Sequence, residues 1–165
     1  MTSINRNIFA LTIFLILLFV LVGCEKKKPE IKTTITLSTI NEDEYLLVSN
    51  NHVYSDTSIY DFKKLYINVK IINTRDLDEA MITIPDLFTI SDKIKSLNGG
   101  TDELSKGTNF TTERISYVIF YSKSLSEEDI KKILDSETID ISYMSKDKKK
   151  FEEQIIIGEN LEFKN

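Results

Sequence analysis

The chain has 165 residues, with 26 acidic against 21 basic side chains, one histidine, one cysteine and no tryptophan. A formal charge of −5 with both signs interspersed argues against a phosphate-backbone partner, which needs a clustered basic face, so no nucleic-acid partner is expected. A cysteine or histidine zinc site cannot be assembled from His52 and Cys24 alone, a His-assisted nucleophile would have to use His52, and no metal or cofactor is expected.

Residues 1–7 are polar with one positive side chain, Arg6, and residues 8–22 form an apolar run broken only by Thr12. Fifteen residues fall short of the roughly 20 that a spanning helix needs. A positive start, a short apolar stretch and a small residue at its end are the layout of a secretory leader. The segment Glu25-Lys26-Lys27-Lys28-Pro29-Glu30, directly after the run, is too polar to enter a bilayer. At Leu21-Val22-Gly23-Cys24 the sequence resembles the lipobox of bacterial lipoproteins, in which a hydrophobic, a small or branched and a small residue precede the modified cysteine. The resemblance implies that Cys24 receives a diacylglycerol thioether and that a type II signal peptidase cuts after Gly23. It also implies a new amino terminus open to acylation. The competing reading, an uncleaved anchor helix with an incidental cysteine, is disfavoured by the shortness of the run and by the cysteine at its end.

Removal of residues 1–23 leaves 142 residues with a formal charge of −6, a length suited to one domain with one core. Two acyl chains supply the stable anchoring that a single chain lacks, so the expected location is the extracytoplasmic face of the cell membrane, held through acylated Cys24. Acylation also consumes the only thiol, and stability must then come from packing without a disulfide. Residues 24–30 read as lipidated cysteine and tether. Lys26, Lys27 and Lys28 there either attract anionic headgroups or form a solvated spacer. The abundance of Ile, Lys and Asn is a bias of AT-rich genomes and leans toward a low-GC Gram-positive source.

From Ile31 onward the hydrophobic period is mostly two. Ile31, Thr33, Ile35 and Leu37 alternate with Lys32, Thr34, Thr36 and Ser38, and Leu65, Ile67, Val69 and Ile71 with Lys64, Tyr66, Asn68 and Lys70. Each pattern predicts a strand with one face on a core and one in water. Residues 45–54 and 80–90 predict weaker strands, the second bent or at an edge because Pro85 cannot donate to a ladder. Residues 91–113 hold Gly99, Gly100 and Gly107 in a polar setting and read as a long loop. Residues 114–121 carry Tyr117, Ile119 and Tyr121 on one face and Val118 and Phe120 on the other, which predicts a central strand. Ser126, Asp129, Leu125 and Ile130 supply the N-cap, capping box and staple of a helix ending near Asp135, with Ile130, Ile133 and Leu134 on its buried side. Residues 137–144 and 151–157 then read as a hairpin around the polar turn 146–150.

About seven short strands and one helix, without βαβ alternation, predict a mostly β fold: a small antiparallel sandwich over residues 31–165, preceded by a cleaved hydrophobic signal helix. The strand Tyr66-Ile67-Asn68-Val69-Lys70-Ile71-Ile72-Asn73 carries a resemblance to the small immunoglobulin-like domains of Gram-positive lipoproteins. The strand Tyr117-Val118-Ile119-Phe120-Tyr121 and the Leu125-Ser126-Glu127-Glu128-Asp129 helix running into a closing hairpin share in it. The chain departs from true immunoglobulin domains in lacking the tryptophan and the cysteine pair. Such a resemblance implies fold more than function.

Catalytic signals are sparse. The acid clusters Glu42-Asp43-Glu44 and Asp76-x-Asp78-Glu79 fall at predicted turns, where carboxylates are ordinarily solvated, and the twelve-residue calcium loop is absent. Tyr54, Tyr60 and Phe62 gather three aromatics in nine positions, either as a binding patch or, more simply, as core anchors. The sequence therefore leads to a non-enzymatic binding or interaction module whose partner is an envelope protein or wall component. The alternative is a small envelope hydrolase using a carboxylate pair, which needs two acids in one cleft. A solute-binding lipoprotein would need two α/β lobes and is disfavoured.

Overall fold

The computed structural model describes residues 28–49, 56–90, 94–104 and 110–164. The leader, the lipobox residues Leu21, Val22 and Gly23, and Cys24, His52 and Tyr54 lie outside them.

The described chain is mostly β, with eight strands in two sheets and two short helices. Strands β1 (Glu30–Thr39), β2 (Phe62–Ile72), β4 (Lys95–Leu104), β5 (Thr111–Tyr121) and β8 (Leu161–Lys164) form a larger sheet in the order β4-β5-β2-β1-β8. Its pairings are antiparallel except β1 with β8, which run parallel, Ile35 opposite Leu161. Strands β3 (Leu77–Thr83), β6 (Thr138–Ser145) and β7 (Lys150–Ile156) form the smaller, antiparallel sheet in the order β3-β6-β7. Helices α1 (Glu42–Ser49) and α2 (Glu127–Leu134) complete the fold.

The period-two patterns decide what is buried. Ile35 and Leu37 of β1, Leu65, Ile67, Val69 and Ile71 of β2, and Val118 and Phe120 of β5 point into one core. Ile82 of β3 and Ile139 and Ile141 of β6 reach the same core from the smaller sheet, and Ile130 and Leu134 of α2 join them. Arg114 ties the sheets directly, its guanidinium Nη1 donating to the Ile82 carbonyl at 2.9 Å. A second, smaller cluster lies on the opposite face of the larger sheet, where Val48 and Tyr45 of α1 cover Phe62 and Ile119. Residues 118–121 are thus apolar on both faces because both faces are covered, and β5 lies inside the sheet between β4 and β2.

Three expectations need correction. Residues 45–49 are helical rather than extended. Asn41 caps the helix through a reciprocal pair, Glu44 N–H donating to Asn41 Oδ1 at 2.8 Å and Asn41 N–H to Glu44 Oε2 at 3.1 Å. The acids Glu42, Asp43 and Glu44 are therefore the first turn of α1, favourably placed against the helix dipole. Residues 95–104 are a strand rather than part of a long loop, with a bulge between Ser96 and Asn98. The weak β propensity of Asn98-Gly99-Gly100 reflects crowding: a Cβ on Gly99 would stand 2.5 Å from the Tyr117 carbonyl oxygen and 2.9 Å from the Phe88 ring. The strand expected over 80–90 begins earlier and stops at Thr83, before Pro85, and β3 lies at the edge of its sheet.

The α2 segment follows its sequence signals. Ser126 Oγ accepts from Asp129 N–H at 3.1 Å, Ser126 N–H donates to Asp129 Oδ2 at 3.1 Å, and Ile130 and Leu134 are buried. Its C-terminus is closed by residues 158–160, where a Cβ on Gly158 would lie 2.6 Å from the Lys131 carbonyl and 2.7 Å from the Asp135 nitrogen. Both are backbone atoms, so the contact cannot be relieved by a rotamer change. Gly158→Ala should destabilise the domain by roughly 1–3 kcal/mol and lower its Tm by several degrees in a thermal melt.

On the outer face of the larger sheet, Glu113 Oε1 accepts from Lys70 Nζ and from Asn68 Nδ2, both at 2.9 Å. The Lys70 hydrogen bond, helped by Asn68 and the Lys70 charge, holds this carboxyl below its ordinary range against the opposing effect of desolvation. A lowered folded-state pKa means stabilisation that is complete above the ordinary glutamate value of about 4.3 and is lost as pH falls through the folded value. Glu113→Gln should therefore cost about 1 kcal/mol at pH 7 in urea melts, with the gap to wild type closing below about pH 4.

Candidate functional site

Strands β1, β2, β5, β6 and β7 bring the loops at 73–76 and 146–149 and the start of the described chain to one end of the two sheets. Asn73 Nδ2 donates to the Lys28 carbonyl at 3.3 Å, Lys146 N–H donates to the Asp76 carbonyl at 3.1 Å, and Thr74 N–H donates to the Phe110 carbonyl at 2.8 Å. The β6–β7 turn is closed by Ser145 N–H to the Lys149 carbonyl at 2.9 Å, with Lys148 in the left-handed region at φ 63°.

Between this hairpin and the entering chain lies a pocket of about 410 Å³. Pro29, Leu77, Tyr143 and Phe151 give it apolar walls, and Lys28, Lys146 and Lys149 supply cationic groups. The Tyr143 and Phe151 rings stack face to face with centroids 4.9 Å apart and planes 17° from parallel, and Phe151 remains 45% exposed. Apolar walls with a few convergent charges are the chemistry that holds an amphiphilic or anionic ligand.

Asp76 and Asp147 also line this pocket. The Asp76 carboxylate lies 3.8 Å from Lys146 Nζ and its side chain is 45% exposed. General-acid work at neutral pH relies on a desolvated carboxyl, and this one is neither dry nor unpaired. The other acids singled out in the sequence are dispersed. Glu44 pairs with Lys64 at 2.5 Å on the outer face of the larger sheet, and Asp78 with Lys148 at 2.6 Å beside the hairpin. Hydrogen bonding to Asp78, with its charge, holds the Lys148 ammonium above the usual lysine range. Among the described residues no three histidine, cysteine, aspartate or glutamate side chains gather as a cluster that could hold a metal ion.

The aromatic trio divides. Phe62 is fully buried, tilted against Tyr45 at 5.8 Å and edge-on to Tyr121 at 5.5 Å, so it belongs to the core and not to an exposed patch. Its fixed place follows from the turn before it, where Ser58 and Asp61 form a capping box and begin β2. Tyr60 is 78% exposed at the opposite end of the molecule from the pocket. The pocket residues Tyr143, Phe151, Lys146 and Lys149 were not legible as a site. The one signal was the juxtaposition Lys146-Asp147-Lys148-Lys149-Lys150-Phe151, four lysines beside an aromatic, which reads equally well as a solvated turn.

In comparison with known proteins, no family model, no curated sequence and no solved structure matches this chain.

Proposed function

We propose that the protein is a membrane-anchored cell-envelope lipoprotein whose domain, an immunoglobulin-like sandwich, acts as a non-enzymatic binding module on the extracytoplasmic face. The observation that carries the reading is the Leu21-Val22-Gly23-Cys24 sequence at the end of a 15-residue apolar run, followed at once by polar chain and, from Glu30, by the first strand. A domain that begins six residues after its acylated cysteine is held close to the bilayer, where its partner is an envelope protein or wall component. The sandwich assignment is supported by two mostly antiparallel sheets that share one core, which needs neither tryptophan nor disulfide. Binding is supported by the pocket, whose apolar walls and lysines suit capture more than bond cleavage.

The hydrolase reading is favoured by one observation, that Asp76 and Asp147 line the same pocket. Against it stands the ion pair of Asp76 with Lys146 at the protein surface. Metabolic labelling with a fatty-acid probe should mark the wild-type chain and leave Cys24→Ala unlabelled and uncleaved, and equal label on the two would contradict the anchor. In the same cells Asp76→Asn and Asp147→Asn should each preserve the protein's cellular role. Loss of that role in a variant that melts like wild type would favour the hydrolase.

A further inference from the structure

We infer that the hairpin end of the domain, Lys146 to Phe151 together with Lys28 and Arg75, rests on anionic lipid headgroups of the membrane that holds Cys24. This deepens the anchored-lipoprotein reading and rests on it.

Reach comes first. Cys24 and Lys28 are four residues apart, a span of at most about 14 Å, and Lys28 lines the same pocket as Lys146 and Lys149. Whatever surface holds Cys24 is therefore within a short distance of the hairpin.

Charge points the same way. Among the described residues, the segments at this end (28–29, 73–79 and 145–150) hold six basic and four acidic side chains, a net charge of +2. Those at the opposite end (40–49, 56–61, 84–90 and 122–137) hold three basic and eleven acidic, a net charge of −8. A chain that is acidic as a whole thus turns its basic end toward the tether. An anionic surface attracts that end and repels the other, which sets an orientation that a flexible tether alone does not. The pairs of Lys146 with Asp76 and Lys148 with Asp78 lie at the surface, with their lysine side chains 57% and 75% exposed, and exposed pairs of this kind exchange readily for other anions. Lys149 makes no ion pair among the described residues and is exposed.

The aromatic side chains complete the face. Phe151 and Phe110 are 45% and 49% exposed, and Phe110 is fixed at this end by its carbonyl bond to Thr74 and by the Arg75 guanidinium 5.4 Å from its ring centroid. Exposed rings flanked by cations suit the boundary between headgroups and acyl chains better than open water.

The test uses the full chain, purified with its lipid and reconstituted in vesicles. Acylation blocks Cys24, so Asp147→Cys at the hairpin and Glu127→Cys at the acidic end each provide a single thiol for a fluorophore. Quenching by a nitroxide carried near the headgroups should be several-fold stronger at 147 than at 127 in phosphatidylglycerol vesicles. It should fall in phosphatidylcholine vesicles and in 1 M salt, where the Debye length is about 3 Å. The triple variant Lys146→Gln, Lys148→Gln, Lys149→Gln should lose most of the difference. Should that variant melt below wild type, the comparison of the two lipid compositions on the single-thiol chains decides alone. Equal quenching at the two positions, or quenching at 147 indifferent to lipid charge and salt, would overturn the orientation while leaving the anchor intact. A chain whose Cys24 takes up no radiolabelled palmitate would overturn both.

Discussion

Strand β2 is hydrogen-bonded along both edges, to β1 and to β5, and the rest of the domain depends on its being buried. Leu65, Ile67, Val69 and Ile71 on its inner face are at most 1% exposed, and Phe62 on its outer face is fully buried. Each such side chain contributes on the order of 1.5–3 kcal/mol when removed from water. The described residues contain no cysteine, so these contacts have no covalent support. The smaller sheet and α2 cover one face of β2, and α1 covers the start of the other. Exposing the inner face would leave an aliphatic stripe in water with nothing to hold the sheets together.

How much of this was legible depends on whether a segment's own pattern matched the environment it found. β1 and β2 alternate cleanly because one face of each meets the core, and their register, Ile35 opposite Ile67 and Leu37 opposite Leu65, keeps both stripes on one side. The α2 helix was legible because Ser126, Asp129 and Ile130 make their contacts within a single turn. The β6–β7 hairpin was legible from alternation on either side of a polar turn. β4 was not, because its glycines answer to Tyr117 and Phe88, distant residues whose approach leaves no local trace. α1 was not legible as a helix, although Asn41 and Glu44 stand at capping-box spacing and were the available signal. The parallel pairing of β8 with β1 joins the two ends of the described chain and has no local signature.

The site divides in the same manner. The proposed anchor rests on a linear motif, Leu21-Val22-Gly23-Cys24, which is read directly from the sequence. The pocket is made by three segments far apart in sequence, and neither the Tyr143–Phe151 stack nor the position of Lys28 against the hairpin follows from spacing alone. Phe62 shows the converse, since an aromatic cluster in sequence was separated by the fold into a buried anchor and an exposed Tyr60. What the topology adds is direction. The strands carry the entering chain, the basic hairpin and the pocket to one end, and the acid-rich turns and helix starts to the other.

The proposed location of the domain and its proposed orientation both depend on the covalent state of residue 24, and the intact mass of the native chain extracted from membranes tests that state most directly. The predicted species starts at Cys24, lacks the first 23 residues and carries the added mass of a diacylglycerol, with or without a further acyl group on its amino terminus. A full-length unmodified chain, or a mature chain cut elsewhere and free of lipid, would contradict it.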